Sequence, residues 1–398
     1  MKLIERTSYL NRLKRLRGTP DIKIITGIRR SGKSQLLQDF RRHLRTTEPE
    51  TNVIFIDFTS LSFESVREYH ALNTYVEENI IVGVSNVLMV DEVQMCPGFE
   101  LAVNSLHSSG KMDIYLTGSN AFLLSADLAT LFTGRYIEVH VLPFSFKEFI
   151  AYFPELNEIQ EALDTYVVMG GMSGSYLYNE TSERENYLRS VYETIITRDL
   201  SQKYRIGDTP TLMSLGEFAM DNIGNVMSPN SIANSLASNK IPTSHVTVGK
   251  YLKYLSDAFV LYKAERYDIH GKKYLESLCK YYLVDTGFRY ALLGRRNMDW
   301  GHAYENIVFM ELTRRQKRVY VGKMYGKEVD FVVMSGSEKE YVQVCDNLDS
   351  PQTLQREANP LLSIKDAYPK IIIARTRHHE YDYQGIRILD LAEWLLTS

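Results

Sequence analysis

Cysteine is scarce in this chain: three residues in 398, at positions 96, 279 and 345. They lie too far apart to give a metal-type spacing, and a reducing cytoplasm is the expected setting. Long apolar runs are missing too. The nearest approach, IIVGVSNVLMV at 80–90, is short and broken by polar residues, so no membrane span is expected. The opening MKLIERTSYLNRLKRLR has its charges too close together for a secretion signal. No internal repeat, low-complexity tract or Pro/Ser-rich linker breaks the sequence. Charge of one sign is also lacking. Forty-six basic and 49 acidic residues leave a net charge of −3, which excludes a globally basic nucleic-acid binder but not a local basic patch. The chain is 398 residues long and 44% hydrophobic, more than one core accommodates, so two or three globular domains are expected.

What is present begins at residues 24–37, IITGIRRSGKSQLL. An apolar strand runs into Gly27-x-x-x-x-Gly32-Lys33-Ser34, and a Leu-rich helix follows. Glycines there allow positive φ and close backbone approach, while the loop N–H groups and the helix N-terminus present positive charge to phosphates. The nucleotide-binding stretch is Gly27, Ile28, Arg29, Arg30, Ser31, Gly32, Lys33, Ser34 and Gln35. Lys33 would reach the β- and γ-phosphates of ATP, and the Ser34 hydroxyl would bind Mg²⁺.

A second apolar strand, VLMVDE at 87–92, ends in two carboxylates. Asp91 is the expected partner of Mg²⁺, and Glu92 the group that polarises the attacking water. A third, DIYLTGSN at 113–120, ends in Ser119 and Asn120, either of which could sense the γ-phosphate or simply cap a helix.

The stretch LFTGRYIEVHVLPFSFKEF at 131–149 resembles one group specifically: AAA-type ATPases of bacteria and archaea that carry a C-terminal domain of unknown function. The resemblance extends through GIRRSGKS, MVDEVQ, LTGSN, MGGM (169–172), KYYLVDTG (280–287) and AYEN…KEVDFVV…VQV. Ser173 departs from it, standing where the family often has proline after the Gly-Gly. The resemblance implies that Arg135 is an arginine finger, inserted into a neighbouring subunit's site in a homo-oligomeric ring. Such a cation stabilises charge developing in the transition state.

The expected fold is α/β. Strands at 22–26, 53–58, 87–91, 113–117 and 136–142 alternate with helices, implying a mostly parallel P-loop NTPase sheet over 1–150. A helical lid or linker follows at 151–209. Residues 210–270 read as three helices and a strand, the outline of a winged helix-turn-helix, with Ser228 or Asn230 capping the second helix. Val248, Leu252, Leu255 and Phe259 mark one apolar face of the third helix. Lys250, Tyr251, Lys253 and Tyr254 would lie on its exposed face, suited either to DNA or to a protein partner.

Residues 271–398 give helix, three strands, helix and strand, the outline of restriction-endonuclease-like nucleases, which the family's tail resembles. Such a site needs Asp on one strand and Glu/Gln-x-Lys on the next to bind metal and steady charge. The chain supplies Glu305, Asp330 and Gln343, but Cys345 stands where lysine is expected. A neutral thiol cannot replace that charge, so the domain is expected to be degenerate unless another lysine, such as Lys327, substitutes. Basic residues at 272, 273, 295, 296, 314, 315, 317 and 318, with tyrosines 274, 281, 282 and 290, form a second candidate nucleic-acid surface.

Three readings of the whole remain open on these residues. One is an ATPase coupled to nucleic acid. Another is a nucleotide-controlled switch whose C-terminal domain binds a protein partner. The third is an ATP-gated, metal-dependent nuclease.

Overall fold

The computed structural model of the chain describes residues 3–118, 130–132, 134–294, 299–324 and 326–397. It divides into two compact units, 1–142 with 202–205, and 143–201 with 206–398.

The first unit is a five-stranded sheet in the order β2-β3-β4-β1-β5. Its strands are β1 (Ile22–Thr26), β2 (Asn52–Asp57), β3 (Asn86–Asp91), β4 (Asp113–Thr117) and β5 (Tyr136–His140), all paired in parallel. Strands β1, β3 and β4 are buried along their whole length, as expected where helices cover both faces. Ile22, Ile24, Leu88, Val90 and Leu116 form one core with α3 (Tyr69–Glu78) and α4 (Phe99–Ser108). Ile25, Val87, Met89, Tyr115 and Val139 form the other with α1 (Thr7–Leu16) and α2 (Lys33–Thr47). Lys23 is fully buried within β1, where its ammonium meets Asp113 at 2.5 Å, so this buried charge is paired.

The second unit opens with α5 (Phe146–Tyr152), whose start explains the LPFSFKEF motif. The Glu148 N–H donates to Ser145 Oγ at 3.2 Å, and Ser145 N–H donates back to the Glu148 carboxylate at 2.8 Å, a reciprocal cap. Helix α6 (Ile159–Met169) ends at Gly170, with φ of 69°. A Cβ at Gly170 would meet Asp285 Oδ1 at 1.9 Å, which accounts for that glycine of the MGGM motif. Asp285 accepts N–H groups from Gly171 at 2.5 Å and Gly287 at 2.9 Å, joining the MGGM loop to the KYYLVDTG segment. Helix α7 (Thr181–Thr194) follows, and a π-helical stretch (Ile195–Leu200) continues it.

Three helices come next: α8 (Thr209–Asp221), α9 (Pro229–Ser238) and α10 (His245–Asp257). Ser228 rather than Asn230 caps α9, accepting the Ser231 N–H at 3.1 Å. Tyr251 is buried rather than exposed on α10. Phe259 does not continue the helical face. It takes φ of 56°, and the Val260 N–H reaches back to Leu255 O at 2.9 Å, so the helix stops in a Schellman turn at a position usually held by glycine.

The expected boundary near residue 270 does not separate compact bodies. Strands β7 (Leu261–Asp268) and β8 (Lys273–Leu283) form a hairpin, and β7 pairs in parallel with β9 (Arg318–Met324). One sheet therefore runs in the order β13-β14-β12-β11-β10-β9-β7-β8-β6. In it, β6 is Val226–Met227, β10 Lys327–Ser335 and β11 Glu338–Cys345. The other side is β12 (Lys370–Ala374), β13 (Tyr381–Tyr383) and β14 (Ile386–Asp390). Helices α11 (Thr286–Leu293), α12 (Trp300–Arg314), α13 (Pro351–Leu362) and α14 (Leu391–Leu396) complete the unit. Among the described residues no helix is long and apolar enough to cross a membrane.

Candidate functional site

The carboxyl ends of β1, β3 and β4 are adjacent, and the residues singled out in the first unit meet there. Gly27 leaves β1 with φ of 142°, and a Cβ on it would lie 2.1 Å from Val141 O. Gly32 caps α2 at φ of 95°. Arg6 fixes the loop from below: its guanidinium donates to Ser31 O at 3.0 Å and Leu142 O at 2.8 Å. The Lys33 ammonium donates to Gly27 O at 2.8 Å and Ile28 O at 3.1 Å, folded within its own loop. The Ser31 hydroxyl is buried and has no hydrogen-bond partner among the described residues.

Ser34 Oγ donates to Asp91 Oδ1 at 3.0 Å, joining the loop to the end of β3. Thr117, the last residue of β4, donates its hydroxyl to the same oxygen and accepts the Glu92 N–H at 3.1 Å. One threonine therefore touches both acidic residues. Burial raises the Asp91 carboxyl above the usual range, the Thr117 and Ser34 hydrogen bonds oppose this, and the charges of Glu92 and Asp57 add to it. Glu92 sits at φ of 55°, and its carboxylate accepts from the Gln94 amide. The donors fit a hydrated Mg²⁺ with phosphate: one hydroxyl, one carboxylate and an orphaned loop hydroxyl, phosphate oxygens supplying the rest. Sequence reasoning missed Thr117 and Gln94. Ser119 and Asn120 lie outside the described residues.

Arg135 is exposed and immediately precedes β5. Its carbonyl accepts the Ile22 N–H at 3.0 Å, which puts it at the amino end of β1. The loop leaves the other end, about 16 Å away along a five-residue strand. An arginine side chain does not bridge that distance, so Arg135 cannot serve its own loop.

In the second unit, Glu305 of α12, Asp330 of β10 and Gln343 of β11 line one open cleft of about 780 Å³. Arg356 also lines the cleft, but the cation paired with Glu305 is not Lys327. It is Lys280 of β8, with its side chain 6% exposed and its ammonium 3.0 Å from Glu305 and 2.8 Å from Glu328. Although burial opposes it, the charges of Glu305, Asp330 and Glu328 hold Lys280 protonated, well above the usual lysine range. Tyr282 adds a 2.6 Å hydrogen bond to the same Glu305 oxygen. Burial, then the charge of Glu305, pushes the Asp330 carboxyl well above its usual range, and its Oδ2 accepts the Val344 N–H at 2.8 Å. Gln343 accepts the Asp330 N–H at 3.3 Å and donates to Glu357 at 3.2 Å. The lysine missing at position 345 is thus supplied from β8, but it is paired with carboxylates. The Glu305 oxygen already carries two donors, and a fixed cation stands against the carboxylates. Among the described residues no group of three or more His, Cys, Asp or Glu side chains is arranged to hold a metal.

The second candidate surface is reduced as well. Arg314 and Arg315 both pair with Glu311 at 3.0 Å, and Arg315 stacks on Trp394 at 4.2 Å. Tyr282 and Tyr290 are buried, whereas Lys272, Lys273, Tyr274 and Arg318 are exposed. Arg295 and Arg296 lie outside the described residues.

An AAA-domain family profile matches residues 19–150, and a domain of unknown function (DUF8612) matches residues 160–299. An uncharacterized protein of Haemophilus influenzae is 36% identical over 99% of both chains. One of Methanocaldococcus jannaschii is 28% identical over 94% of this chain and 83% of its own. A Walker-type ATPase of Pyrococcus abyssi shares the fold at a TM-score of 0.50 and 18% identity, over 73% of this chain and 96% of that one. The chain belongs to the family of the Haemophilus protein, an AAA-type P-loop ATPase family in which a domain of unknown function follows the AAA domain.

Proposed function

We propose that this chain binds ATP with Mg²⁺ in the Gly27–Ser34 loop, hydrolyses it, and couples the cycle to DNA. The observation that carries the first part is the 3.0 Å bond from Ser34 to Asp91, which brings together two groups 57 residues apart. Ser34 and Asp91 would hold Mg²⁺, which when bound neutralises charge on the phosphate oxygens. Lys33 moves from its loop carbonyls to the β- and γ-phosphates, Glu92 polarises the attacking water, and Ser119 or Asn120 senses the γ-phosphate. Arg135, out of reach of its own loop, acts on the site of a neighbouring copy. The chemistry is phosphoryl transfer to water.

Coupling to DNA rests on the three helices and hairpin of the second unit, which we read as a winged helix. From Asn222 to Ser256 the chain carries no aspartate or glutamate, although 49 are spread through its 398 residues. Lys240, His245, Lys250 and Lys253 are exposed in that stretch. This lysine-bearing helix pair, whose one acid is Asp257 at the end of α10, paired with Lys253 at 3.0 Å, suits a phosphate backbone.

The C-terminal sheet is read as a binding rather than a cutting domain. The Lys280 pairing with Glu305 and Glu328 favours this, and it supports a second reading in which the ATP cycle governs capture of a protein partner. Steady-state hydrolysis with and without duplex DNA, at low and moderate salt, separates the two. Several-fold stimulation that fades with salt is expected for DNA coupling. Basal turnover indifferent to DNA selects the partner-binding switch. A Glu92→Gln variant that hydrolyses like the wild type would remove Glu92 from its role.

A further inference from the structure

Glu92 is held in a conformation that its own chemistry does not favour. Its φ of 55° lies in the left-handed region, which disfavours a side chain bearing a Cβ by roughly 1–2 kcal/mol. Such a conformation persists only where neighbours impose it. Here the constraint acts at two points. The backbone N–H is bound by the Thr117 hydroxyl at 3.1 Å, and the carboxylate is bound by Gln94.

Gln94 is well placed to act as a fixed strut. It sits in the single turn Val93–Met95 that begins directly after Glu92. Val93 is fully buried, and the Met95 N–H donates to Glu92 O at 3.0 Å, so the turn is anchored in the core and to Glu92 itself. A carboxylate only accepts, so the Gln94 amide nitrogen must face Glu92 Oε2. The amide supplies a proton donor without supplying charge. A lysine in its place would neutralise the base, and a leucine would let it turn.

We propose that Gln94 is a positioning residue that aims the Glu92 carboxylate at the attacking water. This rests on the reading of Glu92 as the water-polarising group. Its effect is confined to the transition state: nucleotide is held by the Gly27–Ser34 loop, which Gln94 does not form. Removing a group that orients a catalytic residue lowers turnover by about 10–100-fold in comparable sites.

The test uses the full chain and ATP. Gln94→Met keeps the length of the side chain and removes the donor. Gln94→Glu keeps the shape and sets a second carboxylate against Glu92. Expected for Gln94→Met is a kcat lower by about 10–100-fold, with KM for ATP and the thermal midpoint unchanged. Gln94→Glu should lose at least as much. In a Glu92→Gln background, Gln94→Met should change the residual rate by less than about twofold, because there is no longer a base to aim. A kcat unchanged or raised in both variants overturns the inference, and so does an equal loss with and without Glu92. The two levels fail differently. If the wild type turns over no ATP, or Glu92→Gln matches it, the ATPase reading falls and takes this inference with it. If wild type is active, Glu92→Gln inactive and Gln94→Met normal, only the inference about Gln94 falls.

Discussion

The two units each gather a lysine and acidic groups in one cluster, and they balance charge in opposite ways. In the first, the Lys33 ammonium is bound to loop carbonyls, and the Asp91 carboxylate receives hydroxyl protons from Ser34 and Thr117. Among the described residues no ion pair joins Asp91 or Glu92 to a lysine or arginine. Negative charge is left there for an incoming cation to meet. In the second, Lys280 lies between Glu305 and Glu328, and the cluster carries its own cation. The same residue types thus leave one acidic cluster without a paired cation among the described residues and give the other its own. What distinguishes them is where the ammonium is stored.

Exchanging each lysine for methionine breaks the comparison at its centre and has the largest expected effects. Lys33→Met should reduce ATP turnover by at least about 10²–10³-fold, the scale for losing one charge-stabilising donor. Its stability should fall by less than that of the Lys280 variant, since the bonds lost go to carbonyls rather than to buried carboxylates. Lys280→Met should do the reverse. Leaving Glu305 and Glu328 without their cation destabilises the second unit by about 3–5 kcal/mol. Turnover per folded molecule should stay within about twofold of the wild type. Urea unfolding and steady-state hydrolysis of both variants check this, and a Lys280→Met chain of normal stability would mean that its cluster is not closed by charge.

The difference between the units also explains what could be read from the amino-acid order. The first site is local. Gly27–Ser34 is one loop, and Asp91 and Glu92 end one strand, so the motifs carry the geometry with them. Strands β1 and β4 fall where short, largely apolar runs bounded by turn residues put them. Thr117 was not legible, because a threonine at the end of a strand looks like any β-former until its hydroxyl is seen between Asp91 and the Glu92 N–H. Lys280 was harder still. It stands on β8, 25 residues before Glu305, and only the pairing of β7 with β9 brings that hairpin into the C-terminal sheet. The same long-range pairing removes the expected domain boundary. Helix α10 misled for a local reason: the apolar period continues to Phe259, while the chain has already turned left-handed without a glycine to announce it.

A buried carboxylate held by backbone N–H groups sharpens the contrast through pH. Asp285 is held by backbone N–H groups, and burial lifts its carboxyl to about 7 in spite of them. In the unfolded chain it titrates near about 4. Between those values the folded state keeps a proton that the unfolded state has released. The Asp285 contribution to stability is therefore largest below about pH 4, falls as pH rises towards 7, and is flat above. Asp285→Asn, which cannot ionise, should be less stable than the wild type at pH 5, with the gap narrowing at pH 8. Parallel urea-midpoint curves for the two chains across that range would show that Asp285 is ionised throughout.

The smallest effect expected is at Thr117, and it tests whether Asp91 and Glu92 work as one unit. Valine is close to threonine in shape and lacks the hydroxyl. Thr117→Val would leave the β-strand intact while freeing the Glu92 N–H and one bond to Asp91. Because the hydroxyl spans Asp91 and Glu92, the proposed metal-side carboxylate and base, its loss should lower kcat by about tenfold, at the mild end for an orienting group. Combined with Gln94→Met, the loss should be less than the product of the two, since both act on the placement of Glu92. Full multiplicativity would mean that Thr117 serves Asp91 alone. The first unit would then be two independent acidic groups side by side, and the contrast with the fused Lys280 cluster would become one of architecture as well as charge.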